Sequence, residues 1–478
     1  MRLTRADIAA GLRELGLWKG DRVLVHSSLV ALGEVDGGAD AVIDALLDAV
    51  GSDGLVVVPT FACKPPFDRR ESATPLGSIP DTLWRRPNAV RSLHPTHSVA
   101  AIGKGAEELI RDHEKAPTAY GEGTPYHTLA VNGGKILLLG VDQDRNTTLH
   151  TAEALSGAVY LTDITGAYVN DNGGNVTIPI AAMAGPHRDF ISLDKLFREH
   201  GIMRIGKIGG AVCRLIDAGE MLDAALEALK RDPAAVLCEN LNCADCVMQR
   251  GKIKAARLAN ETFTLAAVAS DISDDPDQVM RALQGEGISA VELTPEELDD
   301  YEEFVVRGRI KVVAIRSDRD DREIDELADG LAVPIVMPVR DREGLDCALR
   351  VARRGDAPVL VENTGAPSAF YEKLPHDHPN DPRLAFNPAG FAAAGEKPFL
   401  EIFYRGKLRK QIEHFYIADG DWAGNPTMPG QGNGEVKEII SMLRCRSYSG
   451  VMTLRSPEHG IDGFRRAAAA FWDLLDSM

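Results

Sequence analysis

No apolar run in this 478-residue chain approaches the ~20 residues that cross a bilayer, so a membrane-spanning protein is not expected. The opening MRLTRADIAAGLRELGL lacks the apolar centre of a secretory signal and reads as an amphipathic helix. Cysteine is scarce. Seven in so long a chain do not make a disulfide scaffold, and a reducing cytoplasm is the expected compartment. Basic residues are outnumbered, 53 against 71 acidic, which gives −18 at pH 7. That charge argues against a nucleic-acid partner and is compatible with a cationic small molecule. What remains is an ordinary soluble composition in a chain too long for one core, so two or three domains are expected.

Residues 1–230 alternate helical patterns, 5–15 and 38–50 among them, with short apolar strands at 21–29, 54–61, 98–103, 135–141, 175–182 and 209–216. A further helix is expected at 219–230. This pattern predicts an α/β layered domain. Part of its sheet is expected to be antiparallel, because residues 177–180 alternate polar and apolar side chains. Residues 231–261 read as a cysteine-bearing connector. From 262 to 478 eight strand candidates recur at regular spacing, from TFTLAAVAS to SGVMTLRS, with helical patterns such as DPDQVMRALQGEG and REGLDCALRVARRG between several of them. Eight such units describe a small (β/α)8 TIM barrel, near the lower limit of about 200 residues for that fold.

The most informative stretch is LLLGVDQDRNTTLHTAE, residues 137–153. An apolar strand stops at Gly140, an acidic loop follows, and Asn146, Thr147 and Thr148 start a helix. His150 then lies in the first turn of a helix at the carboxyl edge of the sheet, where open α/β sheets place their active sites. His150 and Glu153 are three apart and share a helical face. A histidine beside a carboxylate suits proton transfer near neutral pH. The plainer alternative is a histidine that only caps or packs.

Several ordered motifs accompany it: VHSSL (25–29), VDGGADAVIDALLDAVG (35–51), LVVVPTF (55–61), RSLHPTHSVAAIG (91–103) and YGEGTPYHTL (120–129). Over residues 1–230 the chain resembles the aminoglycoside 3-N-acetyltransferase family. The resemblance implies acetyl-CoA as co-substrate, a small-molecule amine as acceptor and direct transfer with His150 as base. Glu153 would orient the imidazole or hold the substrate ammonium, and no covalent acyl-enzyme forms. It also implies a coenzyme site at Ser27, Ser28, Thr60, Arg91, His94 and Ser98. Serines at a strand end otherwise cap the next helix. For the cationic acceptor, Asp142, Asp144, Asp163 and His187 are the candidate contacts, although acidic residues are usually solvated. His97 is left unassigned, and His113 and His127 read as surface or loop residues. Resistance and biosynthetic roles stay open, as does self-association.

The spacing Cys238-x4-Cys243-x2-Cys246 contains half of a zinc knuckle, with Cys213 as the available fourth ligand. Structural sites usually use two paired sets, and Cys213 lies in an expected strand. Reduced, unligated cysteines and no metal requirement are therefore the expectation.

Residues 262–478 resemble the sugar-phosphate isomerase/epimerase barrels related to xylose isomerase, through PVLVENTG, FNPAGFAAAGEKP, FYIADGD, MPGQGNGEVKEII and SGVMTLRSPE. That family binds a divalent metal at the strand ends. Glu362 keeps one carboxylate, but Asn387, Tyr416 and Arg455 stand where the pattern has aspartate, histidine and glutamate. His414 offers an imidazole nearby. Arg455 is expected to pair with Glu362, so a metal-dependent isomerase is not expected. Three functions follow in order: an N-acetyltransferase acting from the first domain, a sugar isomerase acting from the barrel, and a non-catalytic binding protein.

Overall fold

The computed structural model describes every residue except Met1, Cys63, 184–186 and His376, and it describes Met183 without its side chain. The chain divides into two compact units, Met1–Gln249 and Arg250–Met478. The division falls inside the segment read as a connector. Among the described residues no helix is long and apolar enough to cross a membrane.

The first unit is organised by three short apolar strands, β1 (Arg22–Ser27), β2 (Leu55–Pro59) and, after the edge strands β3 (Val90–Arg91) and β4 (Val99–Gly103), β5 (Lys135–Leu139). β1 lies between β2 and β5 and runs parallel to both. Their side chains sort by alternation. Val23, Val25, Val56, Val58, Leu137 and Leu139 enter one core, and Leu24, Leu55, Val57, Ile136 and Leu138 enter the other. A strand buried on both faces needs a continuous apolar run, which is why these segments are uniformly apolar. The first core is closed by the helices Arg5–Leu15 and Gly38–Val50, the second by Pro125–Val131 and Ala218–Arg231. Truncating a fully buried strand residue such as Leu137 to alanine costs about 2–5 kcal/mol.

Four further strands complete the unit: β6 (Leu161–Val169), β7 (Asn175–Met183), β8 (Met203–Ile208) and β9 (Ala211–Asp217). The sheet order is β3-β4-β2-β1-β5-β9-β8, with β3, β4, β8 and β9 antiparallel to their neighbours. The expected antiparallel component is present, but the alternation at 177–180 was a misleading sign of it. β7 leaves the sheet and pairs with β6 in a separate hairpin, with one further bridge from Ala181 to Thr118. β3, β6 and β8 were not expected. β6 mixes polar and apolar residues and is partly exposed, so it carries no apolar run.

β5 ends at Gly140, with φ +73°. A Cβ there would stand 2.6 Å from Ala31 Cβ and 3.4 Å from Ser28 O. Glycine is the residue that turns left-handed without adding that atom. Ser28 N donates to Leu139 O at 2.9 Å, so the loops after β1 and β5 leave the carboxyl edge side by side.

In the second unit eight parallel strands close a barrel: β10 (Thr264–Val268), β11 (Ala290–Leu293), β12 (Lys311–Arg316), β13 (Ile335–Val339), β14 (Val359–Asn363), β15 (Arg383–Phe386), β16 (Ile412–Ile417) and, after a short antiparallel pair β17 (Asp419–Gly420) and β18 (Pro426–Thr427), β19 (Val451–Leu454). Each predicted strand segment contains one of the eight. β19 pairs with both β10 and β16, which closes the ring. Helices such as Pro276–Gly285, Arg342–Arg354 and Ile461–Asp476 pack outside against the strands. The glycine-rich run 428–435 wraps one carboxylate: Asp419 accepts from the backbone N–H of Gly430, Gly432 and Gly434 at 2.7–3.0 Å.

Candidate active site

The carboxyl ends of β1 and β5 open onto a cavity of about 560 Å³, within the usual range for small-molecule sites. His150 is on its wall. It is the second residue of the helix Leu149–Leu155, which starts at the expected place by a different device. Thr148 makes no side-chain cap; the carbonyls of Asn146 and Thr147 accept from the N–H groups of Leu149 and His150.

His150 Nδ1 donates to Glu153 Oε2 at 2.5 Å. The other oxygen, Oε1, accepts from Arg188 Nε at 2.6 Å and from Tyr160 OH at 2.8 Å. Glu153 is fully buried and Arg188 is 3% exposed. Burial alone would push the Glu153 carboxyl up, but the His150 bond and charge and the Arg188 cation hold it below its ordinary value. The carboxylate is therefore anionic and holds the imidazole through Nδ1, which leaves Nε2 as the ring nitrogen it does not engage. The ring is clamped between Tyr120 and Phe190, each with its centroid 4.8 Å away. The imidazole is thus held in one orientation on the wall of the cavity.

Other walls refine the site. Ser27 and Ser28 line the cavity, as does Asp144. Burial, followed by the charges of Asp142 and Asp189, raises the Asp144 carboxyl above its ordinary value. His97, unassigned from sequence, also lines it. Tyr120 OH donates to its Nε2 at 2.8 Å, and burial together with the neighbouring His94 and His150 holds it neutral, well below the ordinary imidazole range. His26 lines the cavity too, pushed down to about 3 by burial.

Several expected contacts lie elsewhere. Thr60, Arg91 and Ser98 form an internal knot. Arg91 donates to Thr60 Oγ1, Thr60 O and Ser72 O, and Ser98 Oγ donates to Thr60 O at 2.7 Å. The Arg91 guanidinium also stacks on Trp84 and Phe67, so its charge is engaged inside the protein. A second depression, of about 730 Å³, lies beside Arg91 and Arg111, without the His150–Glu153 pair. His94 is fully buried, and its Nδ1 accepts from His97 N at 2.9 Å. His113, expected at the surface or in a loop, lies in the short helix His113–Lys115, fully buried and stacked on His94 with centroids 4.5 Å apart. Asp142 caps the short helix Gln143–Arg145, accepting from Asp144 N. Asp163 is exposed on the β6–β7 hairpin. His187 stands against Cys243 and Cys246, not on the cavity wall. Cys213 is buried in β9, its thiol directed to Ala211 O, away from the other three cysteines.

At the barrel's strand ends the expected Arg455–Glu362 ion pair is present, with further partners on both sides. Arg316 donates to Glu362 and, at 3.0 Å, to Tyr416 OH. Arg455 is held mainly by Asp271, at 2.7 Å, and lies 3.6 Å from Glu362. Glu292 on β11, not singled out from sequence, is fully buried, accepts from Tyr416 OH at 2.8 Å and lies 2.9 Å from His414 Nε2. Three carboxylates, Glu362, Asp271 and Glu292, thus lie among these cations.

The model for the aminoglycoside 3-N-acetyltransferase family matches residues 24–230. Aminoglycoside N(3)-acetyltransferase IV from Salmonella sp is 34% identical over 237 residues, 49% of this chain and 90% of that protein. Aminoglycoside N(3)-acetyltransferase IX from Micromonospora chalcea is 32% identical over 270 residues, 47% of this chain and 92% of that protein. Among solved structures, the aminoglycoside acetyltransferase AAC(3)-IVa apoenzyme aligns at 32% identity over 52% of this chain and 96% of its own, with a TM-score of 0.48. The family match ends before the first strand of the barrel.

Proposed function

Because the chain belongs to the aminoglycoside 3-N-acetyltransferase family, and is thereby an acyltransferase, we propose that it moves acetyl from acetyl-CoA to a primary amine of an aminoglycoside or related amino sugar. The observation that carries this is His150, fixed through Nδ1 by a buried carboxylate and set on a cavity wall. The protonated amine of the acceptor first loses a proton to solvent or to Asp144. The free amine then attacks the thioester carbonyl, and His150 Nε2 removes the second proton as the C–N bond forms. The C–S bond breaks, and coenzyme A leaves as its thiolate. Glu153 stabilises the imidazolium formed at that moment. Ser28 Oγ accepts from Ala31 N, which leaves its hydroxyl proton to meet the developing oxyanion. A positioned base of this kind contributes about 10²–10⁴ in rate.

We assign this chemistry to residues 1–230 and the barrel to 262–478, with 231–261 between. For the barrel we infer a TIM-barrel ancestry shared with sugar isomerases, without their metal chemistry. Arg316 directs its cation at Glu362, the carboxylate that the resemblance places at a metal position, and Arg455 stands 3.6 Å from it. The reading is tested by thiol release from acetyl-CoA over a panel of aminoglycosides and simpler amino sugars, with mass spectrometry of the products. A gain of one acetyl group supports it. Thiol release that survives unchanged in His150→Ala would overturn the mechanism, and no binding of acetyl-CoA would overturn the function.

A further inference from the structure

Three cysteines and a histidine gather outside the catalytic cavity. One ring nitrogen of His187 and the Sγ atoms of Cys238, Cys243 and Cys246 lie within 4.8 Å of one another. His187 Nδ1 is 3.3 Å from Cys246 Sγ and 3.4 Å from Cys243 Sγ. A neutral imidazole nitrogen has one lone pair and takes one good hydrogen bond. Two sulfurs at nearly equal distance from that nitrogen are therefore poorly explained as thiol donors. They are well explained as neighbours around a shared cation. With Zn–S near 2.3 Å and Zn–N near 2.0 Å, a tetrahedron has N···S edges of about 3.5 Å and S···S edges of about 3.8 Å.

We propose that His187, Cys238, Cys243 and Cys246 bind one Zn²⁺ as a closed Cys₃His structural site. Four protein donors fill the tetrahedron and leave no position for water or substrate, which separates a structural site from a catalytic one. Binding converts three thiols to thiolates and releases three protons, without redox change. Cys243 immediately precedes the helix Ala244–Leu258 and Cys246 lies in its first turn, so the helix's positive end lies beside both sulfurs. Asp245, between them, accepts from His187 N at 3.2 Å and brings the distant histidine to this turn.

The ion would fasten two segments 51 to 59 residues apart in sequence, and one of them carries Arg188. Arg188 Nη1 donates to His187 O at 2.7 Å while its Nε donates to Glu153. Arg188 is a positioning residue in this arrangement. That consequence rests on the transferase reading; the metal site does not.

The test is metal analysis of the full chain, expressed with zinc and purified under reducing conditions without chelator. One zinc per chain is expected, and replacement by Co²⁺ should give a thiolate-to-cobalt charge-transfer band with tetrahedral visible absorption. Paired Cys243→Ser and Cys246→Ser substitutions should abolish both signals. Should that variant not fold, His187→Ala is to retain a cobalt–thiolate band with altered visible absorption. Absence of zinc even after anaerobic reconstitution with Zn²⁺, iron in its place, or zinc unchanged in the cysteine variants would each overturn the proposal. Cobalt bound without a thiolate band would do the same. Removing the ion should also lower kcat while acetyl-CoA binding persists. A chain inactive from the outset leaves the metal and cobalt readouts decisive on their own.

Discussion

Each half of the molecule buries a histidine against a glutamate, and the two pairs have opposite surroundings. In the first unit Glu153 takes one imidazole nitrogen of His150, and the ring stands on a cavity wall. In the barrel the Nε2 of His414 meets both Glu292 and the hydroxyl of Thr453, with Tyr416 closing over the carboxylate and Arg316 beyond it. Both carboxylates are held below their ordinary values against burial, Glu292 down to about 2 through His414 and the Arg316 charge. The residue types alone do not separate a base from a buried strut. What separates them is whether the ring stands on the wall of an open cavity or is enclosed by its partners.

The strongest break of this comparison is His150→Ala. We expect kcat to fall by about 10²–10⁴ with Tm unchanged, measured by thiol release and differential scanning calorimetry. The mirror experiment is Glu362→Ala in the barrel, which strands the Arg316 cation. It should destabilise the barrel by about 3–5 kcal/mol in denaturant unfolding and leave kcat within twofold of wild type.

Acid separates the halves more gradually. Burial holds His26 to about 3 and His94 to about 4, and holds His97 and His113 well below 6.5. The unfolded chain takes up protons that the folded unit refuses. This stability is complete above pH 6.5 and falls as the pH drops toward those lower values, by up to about 1.4 kcal/mol per pH unit for each histidine. Glu292 contributes fully above 4.5 and loses its contribution only between 4.5 and about 2. Hydrogen exchange followed by mass spectrometry at pH 5 should therefore show peptides of 21–103 opening before those of β11 and β16. The smallest effect is expected from Asp144→Asn on the cavity wall: KM for the amine rises roughly fivefold, with kcat nearly constant, consistent with loss of one exposed charge contact.

The parts of the fold that were legible share one property, a pattern carried by consecutive residues. The central strands announce themselves because both faces are buried, and the barrel strands do so for the same reason. Helices such as Arg5–Leu15 and Gly38–Val50 show their apolar stripe. β6 and β8 do not, since their partners are supplied by other segments and their own residues are mixed. In the site, His150 and Glu153 were readable because they lie three apart on one helix. Arg188 and Tyr160 complete the same carboxylate from 35 and 7 residues away, with no local signal. The same limit misplaced the fourth member of the cysteine group: Cys213 was near in type, but the fold supplies His187. Glu292 was passed over because one charge inside AVEL does not interrupt a strand pattern.

The division of labour on Glu153 has a consequence for traffic. One oxygen faces the reacting imidazole, and the other is sealed by Arg188 and Tyr160 in a region that water does not reach. Under the transferase mechanism proposed above, a proton taken up on His150 Nε2 has no rear exit through the carboxylate. That mechanism then sends the proton out through the cavity mouth, by the door an acetylated product would use, and the base would reset only as the chamber empties.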